Sequence, residues 1–145
     1  RGEGDVNSRS IGIELVNSGR EPFGEPQMAA LERLLAGVLG RHGLGPEAVI
    51  GHSDMAPERK GDPGARFDWR RLAVQGLSVW PEPAAPGDFT AALRAFGYPD
   101  VPADTLLSSF RLRFRPSGRG PLDDTDRALA AGLQRFAVDA SRVGA

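Results

Sequence analysis

At 145 residues, with 40% hydrophobic and 26% charged side chains, the chain has the make-up of a folded protein of one or two small domains. A formal net charge of −1 gives no reason for a nucleic-acid or polyanion partner, and zero cysteines exclude disulfides and thiolate metal sites. No apolar run reaches the ~18 residues that a membrane-crossing helix needs.

Residues 1–9 are polar and read as a loop. In the next segment Ile11, Ile13 and Leu15 alternate with Gly12, Glu14 and Val16, which predicts a strand over Ile11–Val16. That strand carries one carboxylate, Glu14, and a buried carboxylate costs several kcal/mol unless it is paired or used. Glu14 is therefore either the solvent-facing residue of a half-buried strand or a general base with its proton affinity tuned by burial. Ser18–Gly24 is a turn region. Glu25–His42 reads as a helix: Pro26 suits the first turn, Met28, Leu31, Leu35, Val38 and Leu39 recur at helical spacing, and Gly43 is the stop. His42 is a helix-end residue facing the last carbonyls rather than a ligand.

Val49-Ile50 predicts a second short strand, which runs into Gly51 and delivers His52 at its end. Asp62 follows in a Gly/Pro-bounded loop, with Lys60 two residues before it. Imidazole and carboxylate are ligands that suit zinc, and catalytic zinc keeps one position open for water. An ammonium at substrate distance stabilises the oxyanion formed when water attacks a carbonyl. The plainer alternatives are a hydrogen-bonded histidine and an aspartate that serves the turn before Pro63-Gly64. Further on, Asp68 caps a short helix, Trp69–Gln75, and Phe67 and Trp69 read as core.

Within Gly76–Gly87, three prolines (Pro81, Pro83 and Pro86) mark a semi-rigid linker over residues 81–87, with Trp80 placed to pin it to the first unit. Three helical patterns follow. Asp88 caps one with Phe89, Leu93 and Phe96. Asp104 caps a second with Leu106, Leu107, Phe110 and Phe114. Asp124 caps a third with Leu129, Leu133 and Phe136. Each stripe needs partners, so residues 88–145 are expected to form a small three-helix unit.

The segments SIGIELVN and GHSDMAPERKGDPGARFDW, in that order and separated by a helix, resemble the zinc-dependent N-acetylmuramoyl-L-alanine amidases of the phage-lysozyme and peptidoglycan-recognition-protein superfamily. The resemblance covers roughly residues 5–80. It implies that residues 1–80 are the C-terminal part of a catalytic domain. The fold class it implies is α/β, a mixed sheet with flanking helices that is incomplete here, followed by the small all-α unit. It further implies that Glu14 assists the catalytic water, that His52 and Asp62 bind zinc, that Lys60 stabilises the transition state, and that Arg59 contacts the muramyl peptide. That family binds zinc through two histidines and an aspartate, and its first histidine lies on a strand before the one carrying the glutamate. Only thirteen residues precede Glu14 in this chain, so an upstream segment of the same protein is expected to supply that ligand. FGY, SSFRLRFRP and GPLDDTDRALA are similar to the helical peptidoglycan-binding domains attached to wall amidases. Arg111, Arg113, Arg115 and Arg119 would there face stem-peptide carboxylates, or else form a solvated helix face.

The expectation is an enzyme that hydrolyses the bond between N-acetylmuramic acid and L-alanine in peptidoglycan or muropeptides. The rival is a non-catalytic peptidoglycan-binding protein. An interaction domain with no wall role does not account for the Glu14/His52/Lys60/Asp62 set. The appended unit points to wall polymer, and hence to the periplasm or cell envelope. The cytoplasm remains open, because the sequence does not separate intact wall from soluble anhydro-muropeptides as substrate.

Overall fold

A computed structural model describes residues 6–137. Helix α1 spans Glu25–His42, the bounds that its apolar spacing predicts. Pro26 occupies the first turn, where its missing N–H costs nothing, and Gly43 ends the helix at φ 61°, a left-handed conformation that suits glycine. Met28, Leu31, Leu35 and Leu39 form its buried face. They pack with Phe67, Trp69, Leu72 and Leu77 into the first of two apolar cores.

The expected mixed sheet is not formed. The described residues are helical, with no strand among them. Ile11–Val16 lacks regular secondary structure, although Ile13 and Leu15 still pack against the first core while Gly12, Glu14 and Val16 are exposed. Alternation reports which face of a segment is apolar, whereas a strand also needs a neighbouring backbone to complete its ladder. No such neighbour lies among the described residues. The second expected strand is replaced by a short 3-10 turn, Pro46–Ala48, and irregular backbone at Val49-Ile50. Val49 spends its carbonyl on a side chain: it accepts a hydrogen bond from Arg113 Nη2 at 3.1 Å.

Two short helices frame the loop that follows, α2 (His52–Met55) and α3 (Trp69–Val74). Asp68 caps α3 by accepting from the Arg71 N–H. Arg71 in turn pairs with Glu25 and Glu32 of α1, which ties α3 to the long helix.

Beyond the proline segment come α4 (Phe89–Phe96), α5 (Ala103–Phe114) and α6 (Asp124–Gly132), the last followed by a 3-10 turn, Leu133–Phe136. Phe89, Leu93, Phe96, Leu106, Phe110, Phe114 and Leu133 meet in a second core. Asp88 caps α4 as predicted. The other two caps shift by one or two residues: Pro102 precedes α5, with Asp104 in its first turn, and Asp123 rather than Asp124 caps α6. Asp123 makes a reciprocal box with Asp126, each side chain accepting from the other's N–H. The proline segment lies along α6, where the Ala84 N–H donates to the Ala128 carbonyl. Glu82 O would stand 1.9 Å from a Cβ at Gly132, so only glycine permits that approach. Trp80 touches both cores and meets the Phe114 ring edge-on at 5.9 Å.

The acidic box sets an expected pH response. Arg115, by its hydrogen bond, holds the Asp123 carboxyl down to about 2. Burial pushes Asp126 up, but hydrogen bonds from Arg111 and Arg115 outweigh it and leave that carboxyl below its usual range. Groups with depressed folded-state values stabilise fully above their unfolded value near 3.8 and lose that contribution as pH falls through the folded value. The melting temperature should therefore drop between about pH 4 and pH 2. Asp123→Asn keeps a good cap and removes the charge, so it should flatten this acid limb. An unchanged limb in the variant would show that the Arg115 pair carries no pH-linked stability.

Candidate active site

His52 opens α2, and Asp62 lies ten residues later in the loop between α2 and α3. Their side chains meet directly, with His52 Nδ1 and Asp62 Oδ2 2.5 Å apart. Both face solvent, at 51% and 57% side-chain exposure. Burial raises the Asp62 carboxyl, while the His52 hydrogen bond and the nearby Lys60 charge lower it, and the net result is below the ordinary range. An ionised carboxylate only accepts, so Nδ1 of His52 is the donor in this arrangement.

The loop backbone holds the pair together. The Ser53 N–H donates to the Asp62 carbonyl at 3.0 Å. The Gly51 N–H donates to Asp54 Oδ2 at 2.9 Å. Gly51 packs so closely that a Cβ there would lie 2.7 Å from Pro63 Cδ and 3.2 Å from the Trp69 ring. Gly51→Ala should accordingly cost about 1–3 kcal/mol, as overpacked sites do, and lower the melting temperature. A variant as stable as the parent would mean that the loop gives way freely at Pro63.

Lys60 and Arg59 are exposed, and both backbone N–H groups donate to the Ala56 carbonyl in the turn after α2. Among the described residues, neither side chain makes an ion pair. Glu14 is exposed and forms no hydrogen bond or ion pair with His52, Lys60 or Asp62. His42 is an exposed residue in the last turn of α1, away from any ion-pair partner among the described residues.

As a donor set, His52 and Asp62 fit part of a zinc site. They place one imidazole nitrogen and one carboxylate oxygen side by side on a surface open to solvent, and an ion shared between them would displace the Nδ1 proton and part the two atoms slightly. A catalytic zinc takes three protein ligands, and no group of three histidine, aspartate or glutamate side chains converges among the described residues.

The sequence did not single out the buried network behind this loop. Asp54 accepts from Arg113 Nη1, from Tyr98 Oη at 2.6 Å and from the Gly51 N–H. Arg113 is completely buried, stacks on Trp69 with its guanidinium carbon 4.0 Å from the ring centre, and also donates to Ser78 Oγ at 3.1 Å. Burial and the neighbouring Asp54 charge push the Tyr98 hydroxyl well above its usual value, so it stays a donor. The sequence offers these arginines as stem-peptide contacts or a solvated face. Instead, Arg113 is internal, and Arg111 and Arg115 pair with Asp126 and Asp123. The available signal was position: 106, 110 and 113 follow the apolar stripe of α5, so a polar residue there must be buried and satisfied.

The site thus brings one imidazole and one carboxylate together on a loop that also carries an exposed ammonium. Residues 1–65 match the profile of the N-acetylmuramoyl-L-alanine amidase family. The chain is a homologue of the AmiD and AmpD amidases. It is 34% identical to the N-acetylmuramoyl-L-alanine amidase AmiD of Escherichia coli strain K12, over 96% of this chain and 62% of AmiD. It is 41% identical to the 1,6-anhydro-N-acetylmuramyl-L-alanine amidase AmpD of Enterobacter cloacae, over 50% of this chain and 38% of AmpD. Its structure resembles that of E. coli AmiD in complex with the substrate anhydro-N-acetylmuramic acid-L-Ala-D-gamma-Glu-L-Lys (TM-score 0.70, 32% identity, 81% of this chain, 55% of that one). It also resembles AmpDh3 of Pseudomonas aeruginosa (TM-score 0.70, 31% identity, 79% of this chain, 54% of that one). The chain thus spans less than two thirds of each of these proteins.

Proposed function

We propose that this chain is part of a zinc-dependent amidase that cleaves the bond between the lactyl group of N-acetylmuramic acid and L-alanine. The observation that carries the reading is the His52–Asp62 pair, 2.5 Å apart in the loop of a chain homologous to muramoyl-peptide amidases. His52 and Asp62 would hold the ion, with a third ligand from elsewhere in the whole protein. Bound zinc supplies Lewis acidity, polarising the scissile carbonyl and acidifying a water. Glu14 takes the proton of the attacking water. Lys60 faces the charge that develops on the carbonyl oxygen, and Arg59 contacts the muramyl peptide. The helical unit from residue 88 onward binds wall polymer. This favours the cell envelope as the site of action, with the cytoplasm as the alternative if the substrate is a soluble anhydro-muropeptide. No helix among the described residues is long and apolar enough to cross a membrane.

The test uses the full-length protein, intact sacculi and anhydro-N-acetylmuramyl peptide, with released stem peptide measured by mass spectrometry. Release that stops on chelation and returns with zinc supports the reading. Glu14→Gln should lower turnover about 10²-fold with zinc content unchanged, in line with the loss of a general base. Sacculus binding with no peptide release under any condition would establish the non-catalytic binder instead.

A further inference from the structure

Two side chains of α5 reach the residues next to His52, Ser109 directly at the Ser53 carbonyl and Arg113 through the Asp54 carboxylate that binds the Gly51 N–H. Ser109 Oγ donates to the Ser53 carbonyl at 2.5 Å. Arg113 donates to Asp54, and Asp54 accepts from the Gly51 N–H at 2.9 Å. Ser109 and Arg113 are four residues apart and so lie on one face of α5. Tyr98, just beyond α4, fixes the second oxygen of Asp54. The Ser53 N–H completes the set on Asp62 itself through the Asp62 carbonyl. Ser53, Asp54, Ser109, Arg113 and Tyr98 are all buried, whereas the His52 and Asp62 side chains are about half exposed. A half-exposed imidazole has few packing contacts of its own, so its direction is set by the backbone that carries it and by the groups that hold that backbone.

We propose that α5 and Tyr98 are positioning elements for the His52/Asp62 pair, with Ser109 acting through Ser53, and Arg113 and Tyr98 acting through Asp54. The C-terminal helical unit then has a task in the hydrolytic site in addition to any contact with the wall. This deepens the amidase reading and rests on it for the purpose that the positioning serves. The positioning itself is a property of the metal-free protein. A network that only glued the two units together would hold their cores. This one ends on the backbone of Gly51 and Ser53, the two residues that flank His52.

The experiment compares three variants of the full-length protein. Ser109→Ala and Tyr98→Phe each remove one hydroxyl and leave the packing volume nearly unchanged. Asp88→Ala removes the exposed cap of α4 and serves as a control for stability loss without contact to the loop. The first readout is the ¹H–¹⁵N imidazole spectrum of His52 without metal, assigned by its absence in His52→Ala. The second is the zinc dissociation constant from chelator competition. Ser109→Ala and Tyr98→Phe should shift or broaden the His52 ring signals and weaken zinc binding about 10-fold, the usual effect of losing an outer-sphere partner. Asp88→Ala should lower the melting temperature and leave both readouts at parent values. If the hydroxyl variants lose stability yet keep the parent ring spectrum, the proposal is overturned while the amidase reading stands. If the ring responds as expected but the parent binds no zinc, the positioning holds and the metal reading fails. Should one hydroxyl variant not fold, the other decides.

Discussion

Lys60→Ala in the full-length protein should reduce amide hydrolysis by 10²–10³-fold while zinc content and melting temperature stay at parent values. The structure leaves the Lys60 ammonium exposed and without a carboxylate at ion-pair distance among the described residues, two positions from Asp62. A purely structural lysine in such a setting contributes about 0–1 kcal/mol. A donor aimed at a developing oxyanion contributes about 3–4 kcal/mol, because the charge it meets is full only in the transition state. The two roles therefore differ by more than an order of magnitude in rate. Muramyl-peptide binding should change far less than turnover, since the ground-state carbonyl carries little charge. Binding and turnover that fall together by one modest factor would make Lys60 a substrate-positioning residue.

Arg113→Met should be the most destabilising single change among the ion pairs described, at about 3–5 kcal/mol. Its side chain is fully buried and Asp54 is 6% exposed, so truncating the guanidinium leaves a carboxylate with no counter-charge inside the protein. Tyr98 and the Gly51 N–H still donate to that carboxylate but do not neutralise it. Proteins of this size have total stabilities of roughly 5–15 kcal/mol, so a large part of the margin is at stake. Arg94→Met is the comparison. Its pair with Asp100 lies at the surface, with side chains 51% and 81% exposed, where removal costs about 0–1 kcal/mol. Denaturant titration of both variants measures the difference directly. Equal losses would mean that water reaches Asp54 when Arg113 is gone.

Much of the helical architecture was legible because its signals are local. Pro26, the Met28/Leu31/Leu35/Leu39 spacing and Gly43 each act within one turn of α1, and the helix forms with the predicted bounds. The same holds for the Asp68 and Asp88 caps, which bind N–H groups three residues away. The sheet was misread because strand formation is not local. Ile11–Val16 shows the alternation of a half-buried strand, and Ile13 and Leu15 do turn inward, but hydrogen bonding to a second backbone is not encoded in that segment. Val49 failed for a related reason, since its carbonyl is taken by a side chain 64 residues away.

Among the candidate residues, spacing and residue type singled out His52, Lys60 and Asp62 but left a hydrogen-bonded histidine and a turn aspartate open, and only the resemblance to the amidases implied their roles. The chemistry of the ligand candidates is thus written in sixteen consecutive positions, Val49–Gly64. Tertiary structure alone decided what stands behind them. Arg113 looks like one more surface arginine in a basic run, and Asp54 like one more polar residue of a turn. Only when α5 packs on the loop are both removed from water and paired, because the cost of an unpaired buried charge forces the partner to be found across the whole fold.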